Sequence, residues 1–361
     1  MKIVVFTGDP SSAIFLYRLW WPFEFLKLSE PRQWDVLLTP QVDERILQGW
    51  NPARPDDDWV PPSVVVISRQ VTAQLLPKLL RAKTQFGVRY VYDVDDNLFE
   101  VPAWNPKYPF FAGPGVRANI ETFMRHADAL FVSTPGLKDV YAELNDRIYV
   151  LPNSVDPELI HQRPRYSRGH VVGWVGSYYH DLDFDIAEAA LRHLAVHGCD
   201  DPGDTRVRIF YRRKYPDIPN LDRVDGVNWE AYFQTLALCD LDIGLVPLVD
   251  HPFNSKGKSS NRWVEQSVVG TLTVASPVGE FARNIEHGRT GILIGEDENW
   301  ADVSRTLLRD RAFRDRIVGA AREEVVEKWN VRRNCGLWGD ALREVAARAP
   351  RIVSGRYVLG T

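Results

Sequence analysis

Three aspartates lie where a predicted strand ends, and their spacing is the first feature of the sequence that suggests chemistry. Asp93, Asp95 and Asp96 belong to YDVDDN, which follows a run of strand-forming residues. Clustered carboxylates supply hard oxygen ligands of the kind that suit Mg²⁺ or Mn²⁺. The same loop could instead carry the nucleophile of a phosphohydrolase, or form one wall of a cleft that never holds a metal. These three alternatives stay open at this point.

A basic, serine-containing loop ahead of a predicted helix is the second feature. It occupies PFNSKGKSS (252–260) and includes Lys256 and Lys258. Ser259 or Ser260 is expected to cap the helix, because a hydroxyl accepts from the free amides of the first turn. The helix dipole, those amides and the two ammonium groups all favour a bound phosphate.

The flank of the same helix carries two more candidates. Arg262 lies one turn in, and Glu265 lies two turns from Lys258. A carboxylate at that place can accept from a pair of sugar hydroxyls. We therefore expect a diphosphate at the helix tip and a ribose along the flank, with a solvated loop and a surface Glu265 as the alternative.

Short β-branched runs that alternate with helical segments must position these residues. The predicted strands are 2–6, 35–39, 63–67, 89–93, 129–133 and 147–151 in the first half, and 170–177, 206–211, 240–248, 271–276 and 290–294 in the second. This alternation is typical of parallel α/β sheets, which bind ligands at the carboxyl ends of their strands. LPNSVDPELI (151–160) interrupts it, so we expect two α/β domains with a boundary near 152–168.

The composition is that of an ordinary globular protein. The chain has 361 residues, 45% apolar and 25% charged, and a net charge of −4, which gives no general attraction to nucleic acid. The three cysteines are far apart and odd in number, which predicts a reducing compartment without a disulfide framework or metal cluster. The sequence has neither the pattern of a signal peptide nor an apolar run of about 20 residues, so we expect a cytoplasmic protein.

The order of motifs resembles the GT-B glycosyltransferases, specifically the large retaining family 4 (glycosyl transferases group 1). The family's donor-binding segment is similar to Phe253–Asn254, Lys258–Ser259, Arg262, Glu265, Gly270 and Val274–Ser276. HADALFVSTPGLKDVYAEL, VVGWVGSYYHDLDF and LALCDLDIGLVPL resemble other family segments and occur in the order that the family requires. The resemblance extends from about Tyr90 to Trp338.

This resemblance implies two Rossmann-like α/β domains that face a cleft. The expected divisions are an acceptor-side domain at 1–155, a nucleotide-sugar donor domain at 156–335, and a C-terminal helix and tail at 336–361 that pack back on the first domain.

The implied activity is transfer of a sugar from a nucleotide diphosphate sugar to an acceptor hydroxyl, with retention and without a metal or other cofactor. Cations would neutralise the departing diphosphate, which gives Lys258 a catalytic role as well as a binding one. The donor-binding residues are expected to be Gly176, Ser177, His180, Arg212, Phe253, Asn254, Lys256, Lys258, Ser259, Arg262 and Glu265.

The acceptor side is expected to lie on the first domain. By comparison with a His-Asp pair in the family, Asp95 takes the His position and Asp96 the Asp position, and both are catalytic candidates. A carboxylate there could hold a hydroxyl or favour positive charge at an oxocarbenium-like centre. Other acceptor-side candidates are Gly8, Ser11, Ser12, Arg18 and Asp93.

The chain also departs from the family pattern. The Glu expected eight residues before Glu265 is Gly257, and Thr271–Leu272 stands where the family commonly has a residue followed by Pro. A non-catalytic nucleotide-sugar-binding protein of the same fold is therefore one alternative. A haloacid-dehalogenase-type phosphohydrolase with Asp93 as nucleophile is another, and a metal-dependent GT-A enzyme is a third.

The expected acceptor is a saccharide or a lipid-linked glycan of a cell-surface polysaccharide, with no nucleic acid partner. TGDPSSAIFLYRLWWPFEFLKL (7–28) is expected to start with a turn and to continue as a helix rich in aromatic residues. Trp20, Trp21, Phe23 and Phe25 could contact a membrane at its inner face, or the helix could be buried in the core.

Overall fold

The computed structural model describes residues 1–8, 15–40, 43–58, 60–164, 170–176, 180–210 and 215–353. The strands in these ranges are β1 (Lys2–Phe6), β2 (Asp35–Thr39), β3 (Val64–Ser68), β4 (Arg89–Val94), β5 (Ala129–Val132), β6 (Ile148–Val150), β7 (His170–Val175), β8 (Thr205–Phe210), β9 (Leu221–Val224), β10 (Ile243–Val246), β11 (Leu272–Ala275) and β12 (Ile292–Leu293).

The helices are α1 (Trp21–Ser29), α2 (Glu44–Gln48), α3 (Leu75–Phe86), α4 (Tyr108–Phe111), α5 (Val116–His126), α6 (Pro135–Tyr141), α7 (Asp181–His197), α8 (Trp229–Leu238), α9 (Pro252–Ser255), α10 (Asn261–Val269), α11 (Glu280–Asn284), α12 (Trp300–Arg309), α13 (Arg311–Lys328) and α14 (Val331–Ala347). A π-helical segment, Phe15–Trp20, precedes α1. Among the described residues, no helix has both the length and the apolar content that crossing a membrane requires.

The chain divides into two compact units. The first contains 1–101, 107–154 and 331–361, and the second contains 102–106 and 155–330. Each unit holds one six-stranded sheet, ordered β2-β1-β3-β4-β5-β6 in the first and β12-β11-β10-β7-β8-β9 in the second. All pairings in both sheets are parallel. The predicted α/β fold with two parallel sheets is confirmed.

The first sheet is buried on both faces, as parallel sheets are. Along β1, Val4 and Phe6 pack into one core, whereas Ile3 and Val5 pack into the other. This explains why its central strands are largely apolar runs rather than alternating ones, and why the sequence predicted their positions closely.

Helices α1 and α14 cover one face of the first sheet. Trp338 of α14 contacts Phe23 and Phe131 with ring centroids 5.6 Å apart in both cases. Trp21 and Phe23 are buried, in agreement with the core-helix alternative for this aromatic segment. Trp20 and Phe25 are partly buried.

The second sheet contains one strand that the sequence did not predict. β9 is the edge strand beyond β8, and its residues LDRV contain a single β-branched side chain. An edge strand needs only one neighbour and little burial, so its sequence carries a weak signal.

Candidate functional site

Gly176 follows β7 in the second unit, at the carboxyl end of a central strand. A side chain at this position would collide with the indole ring of Trp174, so the close packing of ring and backbone requires glycine. The amide of Gly176 donates to the carbonyl of Phe210, 3.4 Å away. The start of the predicted donor loop is therefore positioned by contacts with β7 and β8.

Arg262 of α10 has an unusual environment. Its terminal nitrogens Nη1 and Nη2 are buried and have no hydrogen-bond partner among the described residues. The guanidinium carbon lies 5.5 Å from the centroid of the Trp174 ring. Burial lowers the pKa of Arg262, although Asp183 and Glu265 oppose that shift. Two hydrogen-bond donors on a desolvated cation are thus available for an anion.

His180, at the start of α7, faces the same cation. Its Nδ1 lies 2.7 Å from Oδ2 of Asp183, one turn along the helix. Burial, together with the charges of Arg262 and Lys258, lowers the pKa of His180 to about 3. The imidazole is therefore neutral near pH 7, in a region where the positive potential is high.

Asp183 connects His180 to the loop that follows β10. Its second carboxylate oxygen accepts from the amide of Val249, 2.8 Å away, in the loop that follows β10. Burial raises the pKa of Asp183, but the hydrogen bond from His180 and the nearby cations outweigh it, so the net shift is downward. Asp183 is the link between α7 and the loop that leads to α9.

Glu265 is buried, with 7% of its surface exposed, and is not a surface residue. Its Oε2 accepts a 2.7 Å hydrogen bond from the hydroxyl of Tyr232 in α8. The Tyr232 ring stacks on Phe210, at 5.7 Å between centroids and 25° between planes. The carboxylate is therefore held in a fixed orientation on the flank of α10.

The loop ahead of α10 is anchored mainly by buried groups. Phe253 and Asn254 are 7% and 3% exposed, and the Asn254 amide donates to the carbonyl of Val249 at 2.9 Å. Lys258 has its ammonium 5.6 Å from the centroid of the Phe253 ring. Lys256 is exposed.

Ser260 does not make the expected cap on α10. Ser260 occupies the N-cap position, but its side chain makes no capping hydrogen bond to the helix. The hydroxyl instead accepts from the side-chain amide of Asn284 in α11, at 3.0 Å. This contact joins the start of α10 to α11, whose first residue, Glu280, forms a 2.5 Å ion pair with Arg283.

In the first unit, Arg18 and Asp93 form a fully buried ion pair. Nη2 of Arg18 lies 2.5 Å from Oδ1 of Asp93, and both side chains are 0% exposed. The guanidinium also donates to the carbonyl of Leu151 and packs 4.6 Å from the centroid of the Trp338 ring. Burial raises the pKa of Asp93, and Arg18 opposes that shift.

This burial corrects two expectations. Arg18 and Asp93 satisfy one another inside the unit, so the structure places neither where an acceptor could contact it. The phosphohydrolase alternative also fails, because a nucleophilic carboxylate must contact its substrate, whereas Asp93 is buried and paired with Arg18.

Asp95 and Asp96 both pair with Arg69, which follows β3. Nε of Arg69 donates to Oδ1 of Asp95 at 2.7 Å, and Nη2 donates to Oδ2 of Asp96 at 2.6 Å. Burial lowers the pKa of Arg69, but the two carboxylates outweigh it and raise the pKa above its usual value. The Asp95 and Asp96 side chains keep 11% and 19% exposure.

The backbone of this aspartate loop is also fixed. The hydroxyl of Tyr141 donates to the carbonyl of Asp96 at 2.8 Å and accepts from the amide of Leu98 at 3.0 Å. Arg69 itself adopts a positive φ of 50°, which a non-glycine residue rarely does. A strained residue that holds two partly exposed carboxylates is typical of a functional site.

The remaining predicted residues are few. Gly8 has a φ of 60°, a conformation that favours glycine, and a side chain there would meet nothing within 4 Å. Ser11, Ser12, Ser177 and Arg212 lie outside the described residues.

Four contributors to these clusters were not found from the sequence: Arg69, Trp174, Asp183 and Tyr232. Each lies far in sequence from the residue that it holds, except Asp183, which lies three residues from His180. The spacing of His180 and Asp183 on one helix was the only local signal that could have been used.

Comparisons with known proteins bear on the fold. No family model matches the chain. A D-inositol 3-phosphate glycosyltransferase of Nocardioides sp. is 36% identical over 62 residues, which is 17% of this chain and 14% of the length of that relative. The match thus spans a small part of both proteins.

Solved structures match over nearly the whole chain. A sucrose-phosphate synthase from Thermosynechococcus elongatus superposes with a TM-score of 0.68 at 14% identity, covering 96% of this chain and 99% of that one. Anabaena HepE in complex with UDP-glucose gives 0.62 at 14% identity, covering 95% and 100%. AviGT4, a glycosyltransferase involved in avilamycin A biosynthesis, gives 0.56 at 14% identity, covering 96% and 98%. This chain therefore has the GT-B fold of glycosyltransferases.

Proposed function

We propose that this protein is a glycosyltransferase that moves a sugar from a nucleotide diphosphate sugar to a hydroxyl of a saccharide or glycoconjugate acceptor. The observation that carries the proposal is Arg262, whose two terminal nitrogens are buried without a hydrogen-bond partner among the described residues. A buried cation with unused donors is costly unless a ligand supplies an anion. The fold, shared with a protein solved in complex with UDP-glucose, supports a nucleotide diphosphate as that anion.

The donor would be recognised at three points. The diphosphate would contact Arg262 and Lys258, whose charges both act on His180. The ribose hydroxyls would bind Glu265, whose carboxylate is oriented by Tyr232. Since negative charge grows on the diphosphate as the glycosidic bond breaks, the same cations would stabilise the transition state more than the ground state.

The reaction would need no metal. Organic cations supply the counter-charge for the diphosphate, and the two aspartates that could ligate a metal share Arg69 instead. A divalent ion at Asp95 and Asp96 would have to displace or repel that guanidinium. Retention at the anomeric carbon follows from the family resemblance alone.

Asp95 and Asp96 would form the acceptor side. Their partly exposed oxygens can accept from a sugar or acceptor hydroxyl, and Asp95 is the residue to change first. Saccharides and lipid-linked glycans both present such hydroxyls. Action in the cytoplasm, with contact at the inner face of a membrane for a lipid-linked acceptor, is part of this proposal.

The test is incubation of the full chain with UDP-, GDP- and dTDP-sugars, with and without EDTA. We expect thermal stabilisation by one nucleotide and release of nucleoside diphosphate, both of which survive EDTA. Asp95→Asn should keep the stabilisation and lose the release, because it changes only the acceptor side. Turnover that collapses with EDTA would contradict the metal-free proposal. Binding without turnover on any acceptor would favour the non-catalytic alternative suggested by Gly257.

A further inference from the structure

A second cluster of reactive side chains lies in the second unit, away from the donor residues. His170 begins β7, and Cys199 and Asp200 follow the end of α7. One ligand atom from each of the three residues lies within 4.8 Å of the other two. This cluster was not predictable from the sequence, because its histidine and its cysteine lie 29 positions apart.

The backbone that carries these residues is tightly held. Both carboxylate oxygens of Asp204 accept backbone amides, from Cys199 at 2.7 Å and from Asp200 at 2.8 Å. These hydrogen bonds help to lower the pKa of Asp204 to about 2, although burial opposes them. The amide of His170 donates to the carbonyl of Asp204 at 3.3 Å. One aspartate thus organises the backbone of all three members of the cluster.

Glycine at position 198 makes this turn possible. Gly198 ends α7 with a φ of 66°, and a side chain there would collide with the carbonyl of Asp201. The chain therefore reverses sharply and brings Cys199 back towards the first residue of β7. A preorganised backbone of this kind lowers the cost of assembling a ligand set.

We propose that His170, Cys199 and Asp200 bind a zinc ion. Imidazole nitrogen, thiolate sulfur and carboxylate oxygen are the three ligand types that zinc takes in proteins. Tetrahedral zinc with bonds of about 2.0–2.3 Å separates its ligand atoms by about 3.3–3.7 Å, so the cluster must close by roughly 1 Å. The Asp200 side chain, which is 59% exposed and paired with Arg309, would rotate by that amount. Water would complete the fourth position.

Neighbouring groups are compatible with the ion. Nε of Arg309 donates to Oδ1 of Asp200 at 2.8 Å, which leaves Oδ2 for the metal. The Cys199 thiol makes a weak 3.6 Å hydrogen bond to the carbonyl of Arg305, which is given up when the thiol proton is released.

The zinc would have a structural role. The cluster lies at the amino end of β7, whereas Gly176 follows the carboxyl end, about 20 Å away at about 3.3 Å per residue. The ion would tie the end of α7 to the start of β7. It would be independent of nucleotide binding and of the proposed transfer reaction.

The test is titration of EDTA-treated, dialysed full-length protein with Co²⁺ and Zn²⁺. We expect one equivalent bound, a thiolate-to-cobalt absorption band that zinc abolishes, and a rise in melting temperature with zinc. Cys199→Ser should remove the band, and His170→Gln should weaken zinc binding by at least about tenfold. The matched control is Cys239→Ser, which removes another buried thiol of the same unit and should keep both signals.

Nucleotide-induced stabilisation, measured for each variant, reports that the unit is folded. Binding of cobalt without a thiolate band would overturn the proposal. Undiminished zinc affinity in Cys199→Ser, or the absence of zinc binding at micromolar concentrations in the wild-type protein, would do so as well.

Discussion

Replacement of Arg262 by methionine separates ligand binding from stability. Methionine keeps a long apolar side chain against Trp174 and removes the guanidinium. Burial lowers the pKa of Arg262 despite the opposing charges of Asp183 and Glu265, so the folded protein disfavours the charged group on balance. We therefore expect Arg262→Met to leave the stability of the ligand-free protein unchanged or slightly higher.

The effect on nucleotide affinity should be large. Two terminal nitrogens are buried and unpaired among the described residues, and each could donate to a phosphate oxygen. Hydrogen bonds to charged groups contribute about 1.5–3 kcal/mol each, so the loss of two amounts to about 3–6 kcal/mol. At about 1.4 kcal/mol for each factor of ten, Kd for the nucleoside diphosphate should rise by a factor of about 10² to 10⁴.

Calorimetric titration with the preferred nucleotide, together with thermal unfolding of the free protein, measures both quantities. Arg316→Met is the matched control, because that guanidinium also lies over a ring, 5.4 Å from Phe313, but is exposed. It should change neither quantity. An Arg262→Met protein that is markedly less stable yet binds nucleotide normally would show that Arg262 supports the fold and not the ligand.

Three further outcomes are expected. Tyr232→Phe removes one hydrogen bond that orients the Glu265 carboxylate, so the preference for a ribonucleotide over its 2′-deoxy analogue should fall at least about fivefold in competition binding. An unchanged preference would refute the positioning role. Asp93→Asn leaves the Arg18 guanidinium buried without its counter-ion and should cost about 3–5 kcal/mol in urea unfolding, whereas a loss below about 1 kcal/mol would contradict the buried pair. Because the pKa of His180 is lowered to about 3, the stability that its neutral form contributes is complete above about pH 6.5 and is lost as the pH falls towards 3. His180→Gln should therefore flatten the plot of unfolding free energy against pH over that range. A plot identical to that of the wild type would oppose the assignment.

The sequence predicted the sheets because their strands are buried on both faces. Runs such as KIVVF and SVVVI are apolar over consecutive residues because they fill two cores, and that leaves a clear pattern. β9 lacked this pattern because an edge strand has less to bury. The proposed donor loop was identified only through its resemblance to a segment of a known family, and its role stays a prediction.

Side-chain partners were not predictable in the same way. The sequence could not indicate that Ser260 pairs with Asn284, since the helix N-terminus offered a nearer partner. Nor could it indicate that Arg18 reaches across 75 residues to Asp93. Asp93, Asp95 and Asp96 lie close together in the sequence, but they differ in burial. Asp93 is fully buried, whereas the side chains of Asp95 and Asp96 both pair with Arg69 and stay partly exposed.

The route of the chain has a consequence for protein engineering. Residues 102–106 belong to the second unit although they interrupt the first, and Trp104 contacts His251 there with ring centroids 5.1 Å apart. His251 in turn accepts from the amide of Phe253 and caps α9. A chimera that exchanges only 155–330 would replace His251 and its loop but keep the native Trp104. An exchange of the whole second unit must therefore transplant the five-residue segment 102–106 together with the larger one.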